Sequence, residues 1–386
     1  MEKYRKILIT GGGSGGHVSV ASAIIEEIKK RDTEIYNNLI YVGGDLGMVG
    51  EDYGNSLEQR RFKNADFNTK YIRAGKLQRH ISISSIKLLL RTILGFFDSL
   101  KIIREERPDL IFSSGGFVSV PICIAGWIKG VPIYLHEQTA TIGLSNRIVG
   151  RFAQKIYIAF DSSKKYFDIK KTKLVGNIVR DAVTDFKVEE VSEEIRGFIT
   201  SNTMCPLIYI SGGGLGSHII NEKVLSEIDN LLSKYRIILQ TGDNKKYNDY
   251  QKALEKKNNL PIQKSERFLP IKFINDKNIG YVYHNIDLFL GRAGANTVYE
   301  IAILAKPSIF IPIPWVTNNE QYENAKTLEE TGISKIIDEK SFKNINLISE
   351  IDKQIEKSSK VKIDIDKLRK KFPTNAVEKV IVDLYT

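Results

Sequence analysis

Twice in this chain a short apolar strand runs directly into a cluster of glycines and then into a helix. Lys6–Thr10 leads into Gly11-Gly12-Gly13-Ser14-Gly15-Gly16-His17, and Leu207–Ile210 leads into Ser211-Gly212-Gly213-Gly214-Leu215-Gly216-Ser217. That order of elements opens a parallel α/β unit, in which ligands gather at the carboxyl ends of the strands. The alternation continues after each loop. In the first half, strands are expected at 39–42, 110–112, 132–135 and 155–158, with a helix over 18–31; in the second, at 236–239, 279–282, 288–290 and 308–311. The fold class read from this is α/β, with two Rossmann-like domains facing one another across a cleft. Residues 1–175 are expected to form an N-terminal Rossmann-like domain and 176–365 a C-terminal one, with 366–386 a helix returning to the first domain.

A length of 386 residues suits two domains, and 42% hydrophobic with 27% charged residues excludes disordered, collagen-like and coiled-coil chains. The formal charge of +11 favours an anionic partner. Cys123 and Cys205 stand far apart with no second cysteine near either, which points to a reducing compartment and no zinc motif. Only four apolar residues precede the first glycines, too few for a signal peptide, and no stretch reaches the ~18 apolar residues of a membrane span. The expected protein is soluble, or rests on a membrane surface without crossing it.

The first loop has the makings of a phosphate cradle: glycines admit the ligand close to the backbone, and the helix start supplies N–H donors and partial positive charge. Gly11, Gly13 and Gly16 also satisfy a dinucleotide spacing, but that site needs an acid closing the second strand, and Asp45 behind Gly43-Gly44 fits poorly. His17 ends the loop at a helix start, where the dipole favours the neutral imidazole, a suitable general base; a loop histidine bonded to neighbouring backbone is the alternative. The second loop repeats the device in the second domain, with turn glycines for packing as the alternative. Arg180, after Gly176-Asn177, is suited to bidentate contact with a diphosphate, or to an ordinary surface salt bridge. Ser113–Pro121 and His136–Asn146 follow strands and so lie at their ligand-binding ends. Glu300 lies in the helix begun by Gly294, with a carboxylate suited to both hydroxyls of a ribose.

In this order the loop 11–17, Gly-Gly-Phe-Val-Ser-Val-Pro at 115–121, His-Glu-Gln at 136–138, Gly-Asn-Ile-Val-Arg at 176–180, the loop at 212–216 and Gly-Ala-Asn-Thr-Val-Tyr-Glu at 294–300 resemble the MurG family of family 28 glycosyltransferases, from about Lys6 to Ile337. The resemblance implies a GT-B fold and an inverting transfer of N-acetylglucosamine from UDP-N-acetylglucosamine to the muramoyl 4-hydroxyl of undecaprenyl-pyrophosphoryl-MurNAc-pentapeptide, lipid I becoming lipid II. It implies no cofactor and no essential metal. It places the donor in the C-terminal domain and the lipid acceptor in the N-terminal one. His17 then corresponds to the base or an acceptor-site group, with Glu137 as the other candidate base, and Ser14, Gly15 and Gly16 to the acceptor-diphosphate loop, with Thr139 a further substrate contact. Arg180, Gly213, Gly214, Leu215, Gly216 and Glu300 correspond to donor diphosphate and ribose contacts, and Glu320 with Gln321 to the pair reading the sugar hydroxyls. The sequence departs from the family at Thr139 (usually Asn), Gly214-Leu215 (Ser-Gln), Ala293 (Ser) and Val18-Ser19-Val20 (no proline); each lost donor costs on the order of 1 kcal/mol of binding.

Residues 76–107 carry seven cations (Lys76, Arg79, Lys87, Arg91, Lys101, Arg104, Arg107) against Asp98, Glu105 and Glu106, a net +4, with Ile86, Leu90, Ile93 and Phe97 on one helical face. A basic amphipathic helix is suited to an anionic membrane surface, and equally to packing as a core helix with solvated charges. The implied lipid acceptor favours peripheral attachment to the cytoplasmic face of the cell membrane. No recognition-helix or aromatic-studded basic strand accompanies the charge, so nucleic acid is not an expected partner. The alternatives are a UDP-sugar 2-epimerase, a related GT-B transferase with another lipid acceptor, and a nucleotide-sugar-binding or membrane-docking subunit.

Overall fold

Two wholly parallel sheets organise the chain, one in each of two units: the first built from residues up to Val179 and from Pro373 onward, the second from Arg180–Phe372. The structure is a computed structural model that describes residues 4–46, 56–75, 83–201, 204–360 and 363–385, apart from the side chains of 83–90 and 317.

In the first unit the strands are β1 (Ile7–Thr10), β2 (Ile40–Gly44), β3 (Asn68–Ile72), β4 (Leu110–Ser113), β5 (Ile133–Glu137), β6 (Lys155–Ile158) and β7 (Thr172–Leu174), in spatial order β3-β2-β1-β4-β5-β6-β7. Ile7 and Ile9 enter one core layer and Leu8 the other, because successive side chains of a strand point to opposite faces and both faces here are covered. The strand order changes direction between β1 and β4, where Thr10 stands opposite Ser113, so the loops after these two strands border the crevice where a doubly wound sheet takes its ligand. The helices that frame it are α1 (Gly15–Arg31), α2 (Leu57–Arg61), α3 (Ile83–Glu106) and α4 (Ser119–Ile128). β3 is a polar edge strand, Asn-Thr-Lys-Tyr-Ile, with too little apolar alternation to stand out in the sequence.

The second unit has β8 (Leu207–Ser211), β9 (Arg236–Gln240), β10 (Phe268–Ile271), β11 (Leu288–Gly291), β12 (Ser308–Phe310) and β13 (Ser334–Ile336), in spatial order β10-β9-β8-β11-β12-β13. Its principal helices are α5 (His218–Leu231), α6 (Asp249–Asn258), α7 (Asp276–Asn285), α8 (Ala295–Ile303) and α9 (Glu320–Glu329). The switch lies between β8 and β11, again directly behind a glycine-rich loop. One strand expectation fails here. Residues 279–282 lie within α7: Ile279, Val282 and Tyr283 are buried at helical spacing, and Asp276 opens the helix with the favourable charge. β10 contains Pro270, which conceals it in the sequence, yet it is an edge strand, where a missing N–H donor is tolerated.

The expected return of 366–386 to the first unit begins only at Pro373. The helix Ile365–Lys371 stays with the second unit, where Phe372 packs edge-on to Tyr299 at 5.2 Å. Proline then prevents the helix from continuing. The last helix, Ala376–Tyr385, buries Val380, Ile381 and Leu384 in the core that holds α1, and the Tyr157 hydroxyl donates to Asp383 at 2.9 Å.

Of the basic helix, Lys76, Arg79 and the side chains of Ile86, Lys87, Leu89 and Leu90 lie outside what the structure describes. The rest of α3 divides cleanly: Ser99, Ile102 and Ile103 are buried, while Ile93, Leu94 and Phe97 are exposed. Arg91 is not part of an open basic patch, since it forms an ion pair with Asp45 at 2.7 Å.

Candidate active site

β1 delivers the chain into the first glycine-rich loop, which is held from both sides. The Tyr41 hydroxyl donates to the Gly11 carbonyl at 2.6 Å, and the Gly12 N–H donates to the Gly115 carbonyl at 3.2 Å. Gly13 turns with φ +75°, and a Cβ there would come within 2.1 Å of the Phe117 ring, so only glycine fits. Its N–H donates to Glu58 Oε1 at 2.5 Å. Glu58 is completely buried on α2, whose start is fixed by a capping box between Ser56 and Gln59. The motif S-L-E-Q announces that helix start, but nothing in the sequence indicates that its glutamate faces the loop.

With the Gly13 donor engaged, the anion-binding capacity of the loop passes to the start of α1. Ser14 is the extended N-cap residue and its hydroxyl makes no capping bond. The first N–H groups of the helix, at Gly15 and Gly16, therefore keep both their donor capacity and the positive end of the helix dipole. Ser14, Gly15 and Gly16 thus form a helix start whose donors are not taken up by a side-chain cap.

His17 follows in the same turn. Its Nδ1 lies 2.8 Å from the Ser114 carbonyl, and because a carbonyl only accepts, Nδ1 carries the proton. Gln138 Nε2 donates to the same carbonyl at 3.0 Å and stands 2.9 Å from Nδ1. The neutral ring then presents an unprotonated Nε2. Burial lowers the His17 pKa, outweighing the opposing bond from Ser114, so the neutral form is favoured. An imidazole fixed in one tautomer with a basic nitrogen free is ready to take a proton.

Glu137, the other candidate base, is turned inward. It is buried at the end of β5; Oε1 accepts the Thr139 N–H at 3.0 Å and the Thr139 hydroxyl approaches it at 2.7 Å, while Oε2 accepts Asn146 Nδ2 at 2.9 Å. The Thr139 hydroxyl also lies 2.6 Å from the Thr141 carbonyl. Through these bonds Glu137 and Thr139 brace the 137–146 loop. His136, in the same motif, donates from Nε2 to the Gly176 carbonyl at 3.0 Å, and burial lowers its pKa to about 4, so it stays neutral.

The second glycine-rich loop is built differently. The Gly213 N–H donates to Ser211 Oγ at 3.1 Å, and the Gly213 carbonyl accepts from Gly216 N–H and Gln240 Nε2, both at 3.1 Å. The Gly214 and Leu215 N–H groups find no acceptor among the described residues. Beside Gly213 and Gly214 there is open space, since a Cβ at either would meet nothing within 4 Å. Ser217 begins α5 without a side-chain cap, so here too the helix start keeps its donors. Leu215 projects into solvent. Gly216 has φ +76°, and a Cβ there would come within 1.9 Å of the Thr241 carbonyl. Gly216→Ala is therefore expected to destabilise the second unit by about 1–3 kcal/mol, whereas Gly214→Ala leaves its thermal unfolding nearly unchanged. Equal effects in scanning calorimetry would contradict this reading of the turn.

Arg180 and Glu300, assigned by sequence to different parts of one ligand, meet directly. Arg180 Nε and Nη2 donate to Glu300 Oε1 at 3.0 and 2.9 Å, and Nη1 donates to Asp276 at 2.7 Å. Glu300 is only 2% exposed, and burial pushes its carboxyl up against the pull of Arg180 and the Tyr283 hydroxyl. Three of the five guanidinium N–H groups are engaged, so Arg180 keeps two for a phosphate rather than a free fork. Gln321 Oε1 accepts the backbone N–H groups of Ala293 and Ile313 at 3.3 and 3.1 Å, which points its amide nitrogen away from them. Glu320, beside it at the start of α9, has its carboxyl pushed up by burial. Arg292 is a structural tie: it donates to Ser217 Oγ and to the Ile311 carbonyl, and pairs with Glu339.

Residues 7–158 match the glycosyltransferase family 28 N-terminal domain, and residues 207–380 the family 28 C-terminal domain. The chain belongs to glycosyltransferase family 28. A relative from Clostridium novyi (strain NT), the UDP-N-acetylglucosamine--N-acetylmuramyl-(pentapeptide) pyrophosphoryl-undecaprenol N-acetylglucosamine transferase, is 31% identical over 99% of this chain and 98% of its own. Among solved structures, Acinetobacter baumannii MurG superposes with a TM-score of 0.70 at 20% identity, covering 98% of this chain and 99% of the other. A UDP-GlcNAc 2-epimerase from Neisseria meningitidis gives 0.62 at 13% identity, covering 98% and 99%. Fold alone therefore does not separate the transferase from the epimerase reading; membership of family 28 does. Within this family 28 protein, both domain matches begin at the strand that feeds a glycine-rich loop.

Proposed function

We propose that this protein transfers N-acetylglucosamine from UDP-N-acetylglucosamine to the muramoyl 4-hydroxyl of undecaprenyl-pyrophosphoryl-MurNAc-pentapeptide, with inversion. The observation that carries a chemical role, over a mere binding one, is the placement of His17: Nδ1 lies 2.8 Å from the Ser114 carbonyl, and a neutral ring that donates there leaves Nε2 to accept a proton. The substrates are those in the name of the Clostridium novyi relative, whose similarity extends over 99% of the chain.

On this reading the acceptor diphosphate rests on the N–H groups at Gly15 and Gly16. The 4-hydroxyl gives its proton to His17 Nε2 as its oxygen attacks the anomeric carbon. The bond to the UDP oxygen breaks, and the departing charge is met by the Gly214 and Leu215 N–H groups, the start of α5 and the two remaining Arg180 donors. Glu300 serves the ribose from within its pair with Arg180, and Gln321 with Glu320 reads the sugar hydroxyls. Incubation with UDP-N-acetylglucosamine alone tests the enzyme class. A transferase leaves the nucleotide sugar essentially unchanged, whereas accumulation of the manno isomer would identify an epimerase.

The same reading puts the protein at the cytoplasmic face of the cell membrane, attached peripherally to anionic lipid. No helix among the described residues is long and apolar enough to cross a membrane. Support for surface attachment comes from α3, where Ile93, Leu94 and Phe97 are 48, 43 and 60% exposed, and from Trp127 at 53% on α4. Lys101, Arg104 and Lys129 supply nearby positive charge. Phe97→Asp with Trp127→Asp is expected to reduce flotation with anionic vesicles several-fold. Undiminished flotation of the double variant would move the attachment site elsewhere.

A further inference from the structure

The motif at 211–217 ends one residue before a polar cluster that neither the glycine pattern nor the transfer reaction has used. His218 opens α5 and places Nδ1 2.8 Å from Asp249 Oδ1. Its ring stacks on Tyr247, with centroids 3.9 Å apart and planes within 5°. Asp249 is only 4% exposed, and its other oxygen accepts Asn221 Nδ2 at 2.9 Å. The same Asn221 nitrogen donates to the Thr241 carbonyl at 2.9 Å. That carbonyl is the atom against which Gly216 is pressed, and Gly242 crowds Gly216 from the same side.

We propose that His218 is a positioning residue for the donor site, fastening the 241–249 loop to the start of α5 and so fixing the turn at Gly216. This rests on the assignment of the 212–217 loop to the diphosphate of the nucleotide sugar. The chain of contacts runs His218, Asp249, Asn221, Thr241, Gly216. Because a carboxylate accepts, His218 Nδ1 is the donor to Asp249, and Nε2 lies toward Glu222 at 3.9 Å. His218 therefore acts through the loop and not by touching a reacting atom. Without its N–H, Asn221 alone among the described residues still hydrogen-bonds the 241–249 loop to α5, the Gly216 turn loosens, and the Gly214 and Leu215 donors lose their preset direction, which weakens a ligand that depends on several N–H groups at once.

Calorimetric titration with UDP tests this in three variants of the full chain. His218→Ala is expected to weaken UDP at least five-fold and to raise the donor KM in proportion, with kcat at saturating donor within about two-fold of the unaltered protein. His218→Asn, whose amide nitrogen can reach Asp249 as Nδ1 does, is expected to restore UDP affinity to within about two-fold. A merely structural requirement for the imidazole would not be rescued in this way. Tyr247→Leu removes the stacking but keeps the Asp249 bond, and is expected to weaken UDP by a smaller factor; it carries the test should the alanine variant not fold. The proposal is overturned if His218→Ala binds UDP as tightly as the unaltered protein, if the asparagine variant is as impaired as the alanine one, or if Tyr247→Leu leaves affinity unchanged while the alanine variant cannot fold. An unaltered protein that fails to bind UDP would contradict the donor-site assignment as well; normal binding with indifferent variants contradicts the role of His218 alone.

Discussion

Alanine in place of His17 is expected to lower kcat by about 10²- to 10⁴-fold, the usual loss on removing a general base, equivalent to roughly 3–5 kcal/mol. UDP affinity should stay near that of the unaltered protein, because the residues assigned to UDP belong to 180–372 and His17 does not. The acid limb of kcat/KM carries the same information. Only the neutral ring accepts a proton, and burial lowers the His17 pKa from its ordinary 6.5. As pH falls, activity is therefore retained through 6.5 and lost only below it. His17→Gln should remove that limb along with most of the rate. If saturating acceptor restores the rate of the alanine variant, His17 orients the acceptor diphosphate instead. With Glu137 braced internally by Thr139 and Asn146, it offers no ready substitute as base.

The second large effect is expected at Arg180. Removing one partner of a buried ion pair leaves the other charge uncompensated, which costs about 3–5 kcal/mol. Glu300, 2% exposed, is the partner left behind by Arg180→Ala. The second unit should lose stability on that scale, and UDP binding should fall below detection. Glu300→Ala also weakens UDP at least several-fold, since the ribose loses its acceptor and Arg180 its restraint. The double variant Arg180→Ala/Glu300→Ala should recover part of the stability but none of the binding. A cycle in which the two single effects simply add, in stability and in UDP affinity, would show that the pair does not act as a unit.

The fold was legible because both sheets are parallel and buried on both faces, so most strands read as apolar runs closed by glycine. It was illegible where that signal fails: at the polar edge strand β3, at Pro270 within β10, and at 279–282, where a short apolar run inside a helix imitates a strand. Of the site, the residues on the loops themselves could be read. What the sequence conceals is what holds them. Glu58 beneath Gly13, Gln138 and Ser114 on His17, and Asp249 behind His218 are ordinary residues whose contacts depend on how distant segments pack. Partnership is hidden in the same way. Arg180 and Glu300 are 120 positions apart and bond to one another, and Thr139 turns toward Glu137.

The most direct test of the central claim is product analysis with radiolabelled UDP-N-acetylglucosamine and lipid I supplied together. The account predicts that label passes into the lipid fraction as a β-linked N-acetylglucosaminyl-N-acetylmuramoyl product, with one UDP released per sugar transferred. It also predicts that His17→Ala nearly abolishes this transfer while still binding UDP. Label that remains in nucleotide sugar, or that appears there as the manno isomer, would contradict it.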